Sequence, residues 1–112
     1  MNVVNKSYGP GITGAQIPVS LNFLSLSKIT AALTIIGNAA FTVEVTLDNV
    51  FNESAADYVP VGAASWFTVA GAPTAADGYV TFDGPWQAIR LNISVNDTGV
   101  IFQVGQGESG RY

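Results

Sequence analysis

Several groups of residues in this chain have types and spacings that could do chemistry, and each has a plainer reading beside it. Asp97-Thr98-Gly99 carries the letters of an aspartic-protease loop. In that chemistry two carboxylates share a proton, so a short chain would have to dimerise to supply the second. The same three residues suit a tight reversal of the chain, with positive φ at Gly99. Asp77 and Asp83 flank one short predicted strand and could be drawn together as the two carboxylates of a glycoside hydrolase. Aspartate is favoured in turns for backbone reasons, however, and nothing in the local sequence raises either pKa. Asp48, Asn49, Asn52, Glu53 and Asp57 offer hard oxygen donors from one loop. Their spacing lacks the glycine an EF-hand needs at its sharp turn, so a solvated loop is expected and no metal. Trp66, Trp86, Tyr58 and Tyr79 could form an aromatic platform for a sugar ring. Trp66 precedes Phe67 in a predicted strand and Trp86 opens another, so core positions compete with that reading.

Composition narrows the classes further. Histidine and cysteine are both absent, which removes the usual general base near neutral pH, the commonest transition-metal ligand, any disulfide and any thiolate nucleophile. Carboxylates, Lys, Tyr and Ser remain, and neither enzyme activity nor a cofactor is expected. Eight acidic residues against Lys6, Lys28, Arg90 and Arg111 give a net charge of −4. The cations are scattered, and nucleic-acid binding would need a basic stripe. The longest apolar stretch, residues 29–36, is broken by Thr30 and Thr34 and is too short to span a bilayer. No charged and then apolar opening marks a signal peptide. Asn-x-Ser/Thr triplets begin at Asn5, Asn52, Asn92 and Asn96; without a secretory signal they read as by-products of polar strands. Only 11% of residues are charged, against roughly a quarter in ordinary domains, which favours a protein packed against something.

The elements that must carry these residues are strands. Ile89, Leu91, Ile93 and Val95 alternate with polar residues, and after residues 96–99 the alternation resumes as Val100, Phe102 and Val104. The pattern predicts a hairpin pairing Val95 with Val100, Ile93 with Phe102 and Leu91 with Val104. Residues 1–14, rich in glycine, read as an extended N-terminal arm. A strand follows in which Ile17, Val19, Leu21 and Phe23 face one way, with a bulge or corner at Phe23-Leu24. Lys28 to Ile36 reads as a strand closed by Gly37-Asn38, although its alanines tolerate a helix. Phe41, Val43, Val45 and Leu47 mark a half-buried strand. Residues 58–61 suggest an edge strand because Pro60 cannot donate to a ladder. Residues 65–69 and 79–82 form two more short strands, joined by an exposed connection. The expected fold is all-β, a single-domain antiparallel β-sandwich of jelly-roll type over residues 15–105, with a C-terminal tail over 106–112.

The run 41–51 ending in Thr46-Leu47-Asp48-Asn49-Val50-Phe51, then Trp66, then Ala88-Ile89-Arg90-Leu91-Asn92, and the closing Val104-Gly105-Gln106-Gly107, resembles small virion structural proteins of tailed bacteriophages. The likeness covers residues 41–107. It implies a capsid decoration or cementing protein on the virion surface, made in the host cytoplasm, with tail or neck attachment as a close variant. The partners it implies are the major capsid protein or other virion subunits, together with a second or third copy of this chain. Arms at both ends could reach neighbouring subunits. Lys6, Tyr8, Arg90, Arg111 and Tyr112 are the candidate partner contacts, and an ion pair of Arg90 with Glu44 on a neighbouring strand is the competing expectation. A glycan-binding module and a hydrolase remain as rival classes.

Overall fold

A computed structural model describes residues 2–21 and 28–106. Its strands are β1 (Asn2–Tyr8), β2 (Gly14–Ala15), β3 (Val19–Ser20), β4 (Lys28–Ile36), β5 (Ala39–Thr46), β6 (Phe67–Thr68), β7 (Gly78–Asp83), β8 (Ala88–Asn96) and β9 (Gly99–Gln106). Among the described residues the sole helical piece is a 3-10 turn at Val61–Ala63. The first sheet has the order β1-β9-β4-β7; the second has β2-β8-β5-β6, with β3 also on β8. Every pairing in the two sheets is antiparallel. Because β2 and β3 share one edge of β8, they act as a single strand interrupted at residues 16–18, where Pro18 cannot donate. Counted so, the sandwich has four strands in each sheet, and the chain changes sheet at almost every connection, which is jelly-roll topology.

The core lies between the sheets. Ile29, Ala31 and Leu33 of β4 and Val100, Phe102 and Val104 of β9 face Phe41, Val43 and Val45 of β5 and Ile89, Leu91 and Ile93 of β8. Burying one face of each strand in this way is what the period-two patterns require.

The expected hairpin does not form. β8 pairs with β5 and β9 pairs with β4, so the two strands lie in opposite sheets and their apolar faces meet across the core. Both arrangements bury the same residues, and the alternation is blind to the choice. The corner falls at Asp97-Thr98, beside the Gly37-Asn38 corner that carries β4 into β5. Asp97 N donates to Asn38 O at 2.9 Å. Positive φ belongs to Gly37, at 76°, and not to Gly99. A Cβ on Gly37 would stand 2.6 Å from Thr98 Oγ1, so the two corners are packed too closely for a side chain there.

An irregularity separates Ala40/Phe41 from their partners on β8: Phe41 pairs with Ile93 but Ala40 with Val95, leaving Ser94 unmatched. This bulge reverses the faces beyond it. Val95, expected inward, is 37% exposed, while Asn96 is buried. Asn96 Nδ2 donates to Gly9 O (2.9 Å) and Ile12 O (3.2 Å), tying down the connection from β1 to β2.

Other expectations need correction. Residues 2–8 are an edge strand paired with β9 along their whole length, not an arm. Val4 and Tyr8 pack on the core, and Lys6 between them hides the apolar alternation. At the other end Gln106, assigned to the tail, belongs to β9 and pairs with both Asn2 and Ile29. Ile17 is 79% exposed because the strand is broken around it. Residues 58–61 make a single bridge from Tyr58 to Asn49 and then the 3-10 turn, instead of a strand. Phe23-Leu24 and residues 107–112, with Arg111 and Tyr112, lie outside the described residues.

Candidate functional site

The paired carboxylates do not meet. Asp77 and Asp83 bracket β7, six residues long, so their backbones stand roughly 20 Å apart at a rise of about 3.3 Å per residue. Asp77 Oδ1 accepts from Ile35 N at 2.7 Å, and Asp83 Oδ1 accepts from Lys28 Nζ at 2.7 Å on the opposite end of the strand. Asp97 sits in the sheet-to-sheet corner already described. In the loop after β5, Asn49 Nδ2 donates to Asp57 Oδ1 (3.1 Å), and Asn49 Oδ1 accepts from Phe51 N and Asn52 N. Asp48 Oδ2 accepts from Ser65 N at 2.7 Å. These groups are spent on holding the loop closed, and among the described residues no cluster of three potential ligands gathers to hold a metal.

That loop roofs part of the outer face of the second sheet. Thr46 and Ala88, an outward-facing pair on β5 and β8, are fully buried there. Trp66 Nε1 donates to Val61 O at 3.2 Å, fixing the indole. The Arg90 guanidinium lies 4.0 Å from the centre of the Trp66 ring. Arg90 Nε donates to Glu44 Oε1 at 2.8 Å, and both side chains are largely buried, 13% and 16% exposed. Glu44 and Arg90 are direct cross-strand partners, so backbone register alone brings them together. Of the two expectations for Arg90, the ion pair is the one the structure shows, and it leaves the side chain largely buried. Trp66 is a structural residue for the same reason.

Tyr8 is also turned inward. It packs on the core with its Oη buried and without a hydrogen-bond partner among the described residues, and burial raises its pKa above the usual 10.0. Lys6 is exposed, but the pairing with Phe102 puts it on the inner face of the β1 edge. Of the candidate contacts within the described residues, Lys6 alone is solvent-facing.

Two surface features were not legible in the sequence. The first is a cleft of ≈ 360 Å³ where β6 and β7, the edges of the two sheets on one side of the sandwich, stand open. Val45, Phe67, Val69, Phe82 and Trp86 line it, and Asp83 stands at its rim. The Phe67 and Trp86 rings are 6.2 Å apart and tilted at 45°, and Phe67 is 53% exposed. Trp86 Nε1 is occupied by Asp83 O at 3.2 Å, so the indole offers its face and not its N–H. The cleft can therefore stack on an apolar or ring-shaped group, and its one rim carboxylate is already paired with Lys28. The second is the outer face of the first sheet, where Val3, Thr30, Ala32, Gln103 and Gly105 floor a shallow depression of ≈ 320 Å³ with Lys28 at its edge. Small neutral side chains make this face flat, and only knowledge of which strands are neighbours reveals it. Against this geometry, comparison with family models, with curated proteins and with solved structures yields no match to the chain.

Proposed function

We propose that this protein is a non-enzymatic virion structural protein, a capsid decoration or cement protein that docks on a phage head and stabilises it. The observation that carries the reading is the outer face of the first sheet. Its exposed residues from β1, β9 and β4 are uncharged apart from Lys28 and include the apolar Val3 and Ile36, and its charged pair, Lys28 with Asp83, is confined to one edge and already neutralised. Laying such a face on another protein desolvates little charge, which is the usual obstacle to docking. The jelly-roll topology is one that viral shells use widely, and the resemblance of residues 41–107 to small virion proteins points the same way. With β1 built into the sheet, contact with capsid subunits rests on a sheet face more than on an N-terminal arm. The major capsid protein is the partner, with other copies of this chain beside it, and the working location is the capsid surface.

Purified protein should bind heads that lack it and raise their thermal disruption temperature. A substitution that breaks the flat face, Ala32→Glu, should abolish binding while leaving the far-UV spectrum unchanged. No binding at micromolar concentration removes the proposal, and binding to isolated tails in place of heads moves it to a tail or neck position. A second reading, a glycan-binding module, is favoured by one observation, the Phe67 and Trp86 rings in an open cleft. Titration with a panel of neutral oligosaccharides, followed by Trp fluorescence and lost in Trp86→Ala, would establish it.

A further inference from the structure

The four edges of the two sheets are not equally protected. A sheet edge exposes unpaired N–H and C=O groups and pairs with another chain unless something prevents it. On β1, Lys6 is turned to the inner face, so a strand added there would bury its ammonium. The β2–β3 edge is broken at residues 16–18. β6 is two residues long. β7 carries none of these devices: Gly78–Asp83 is six residues of regular strand, without proline, bulge or an inward charge. Its hydrogen-bonded neighbour is β4 on one side, and among the described residues no strand covers the other.

We infer that β7 is a self-association edge, pairing antiparallel with β7 of a second copy about a twofold axis through Thr81. Side chains directly opposite in an antiparallel pair lie on the same face. With Thr81 opposite its own copy, Val80 falls opposite Phe82 of the other chain on the inner face, and Tyr79 falls opposite Asp83 on the outer face. A Thr–Thr pair forms on the axis, and an apolar pair and a phenol–carboxylate pair each occur twice by symmetry. Moving the axis to Val80 would set Asp83 opposite Asp77, two carboxylates on one face, and moving it to Phe82 shortens the ladder. The sequence of the strand thus selects one register.

The surroundings of β7 agree. Tyr79 is 71% exposed on its outer face, and Phe67, 53% exposed, stands beside it in the open cleft. Two of the largest exposed apolar side chains therefore flank the one unprotected edge. In the paired arrangement Val80 of the second copy lies next to Phe82 at the mouth of the cleft, the clefts of the two copies face each other, and the core continues from one sandwich into the next. A second copy is favoured over a foreign strand because the edge is complementary to itself.

The inference stands apart from capsid docking, since a dimer could form whether or not heads are bound. Sedimentation equilibrium of the full chain over a roughly hundredfold concentration range should show a species of twice 11.7 kDa. Thr81→Lys, which sets two ammonium groups opposite each other at an exposed position, should return the monomer mass with an unchanged far-UV spectrum. Because the chain has no cysteine, Thr81→Cys should lock a covalent dimer on mild oxidation, the opposed Cα atoms lying within disulfide reach. Ser7→Cys, on the β1 edge, should not. A wild-type chain that stays monomeric throughout, a dimer that Thr81→Cys fails to lock, or locking through Ser7→Cys in its place would overturn the inference.

Discussion

Arg90 is held on two sides at once, by the Glu44 carboxylate at 2.8 Å and by the face of Trp66 at 4.0 Å. Removing one partner of so sheltered a pair leaves the other charge poorly solvated. Arg90→Ala or Glu44→Ala should lower the unfolding free energy by about 2 kcal/mol, measured by urea denaturation. Replacing both, as Arg90→Met with Glu44→Leu, should cost less than either single change, because no orphaned charge remains. Tyr8 is the opposite case, a polar atom buried without a partner. Tyr8→Phe should leave stability unchanged or raise it by up to about 1 kcal/mol. Its phenol titrates higher folded than unfolded, so above pH 10 the unfolded chain binds fewer protons and stability falls as the pH climbs through the folded pKa. In Tyr8→Phe that part of the alkaline loss should vanish, while wild type and variant run parallel below pH 9.

At the level of elements, the two corners between the sheets are where sequence and geometry are most tightly coupled. Gly37 has φ of 76° and would place a Cβ 2.6 Å from Thr98 Oγ1. Gly37→Ala should therefore destabilise by about 2 kcal/mol, part from backbone conformation and part from the clash. Thr98→Ala in the same chain should recover the second part only, and thermal melts of the three variants separate the two. The β8 bulge has a comparable role. By turning Val95 out and Asn96 in, it lets one amide hold both Gly9 and Ile12, which carries the chain from the first sheet to the second. Asn96 could not accept a glycan in this state, since its Nδ2 donates to both those carbonyls. The strands at 28–36 and 39–46 follow their sequence patterns over most of their length, because both lie inside their sheets and bury one face; Leu47, expected inward, falls past the end of β5 and is 51% exposed. Strands at edges, β1, β3 and β6, are poorly marked, because an edge strand buries less and tolerates Lys6, Pro18 or an exposed Phe67.

The whole molecule divides into four central strands, β4, β5, β8 and β9, which hold almost all the buried side chains, and a thinner border around them. Amide hydrogen exchange should follow that division, with central-strand amides exchanging through global unfolding and β1, β3 and β6 through local opening. β7 should exchange like the border at low concentration and gain protection as the protein is concentrated, if the edge pairs with a second copy. Function enters at this scale too. Among the described residues no three potential metal ligands gather, and the surface features that the fold builds are a sparsely charged sheet face, an aromatic cleft and the β7 edge.

Alternation of apolar and polar residues was enough to establish that the chain is all-β, where its main strands run and which face of each is buried, since a strand has only two faces and water selects between them. It also put Glu44 and Arg90 on the polar faces of their strands, where they could pair if those strands proved to be neighbours. It could not decide which strands are neighbours. Backbone ladders form between any two extended segments, and a hairpin and a cross-core pair of β8 and β9 bury the same side chains. Only the tertiary structure separated them, by setting all the strands in competition for the same two faces of one core. The cleft, the flat face and the open edge are all consequences of that contest, and none is a property of any single stretch of chain.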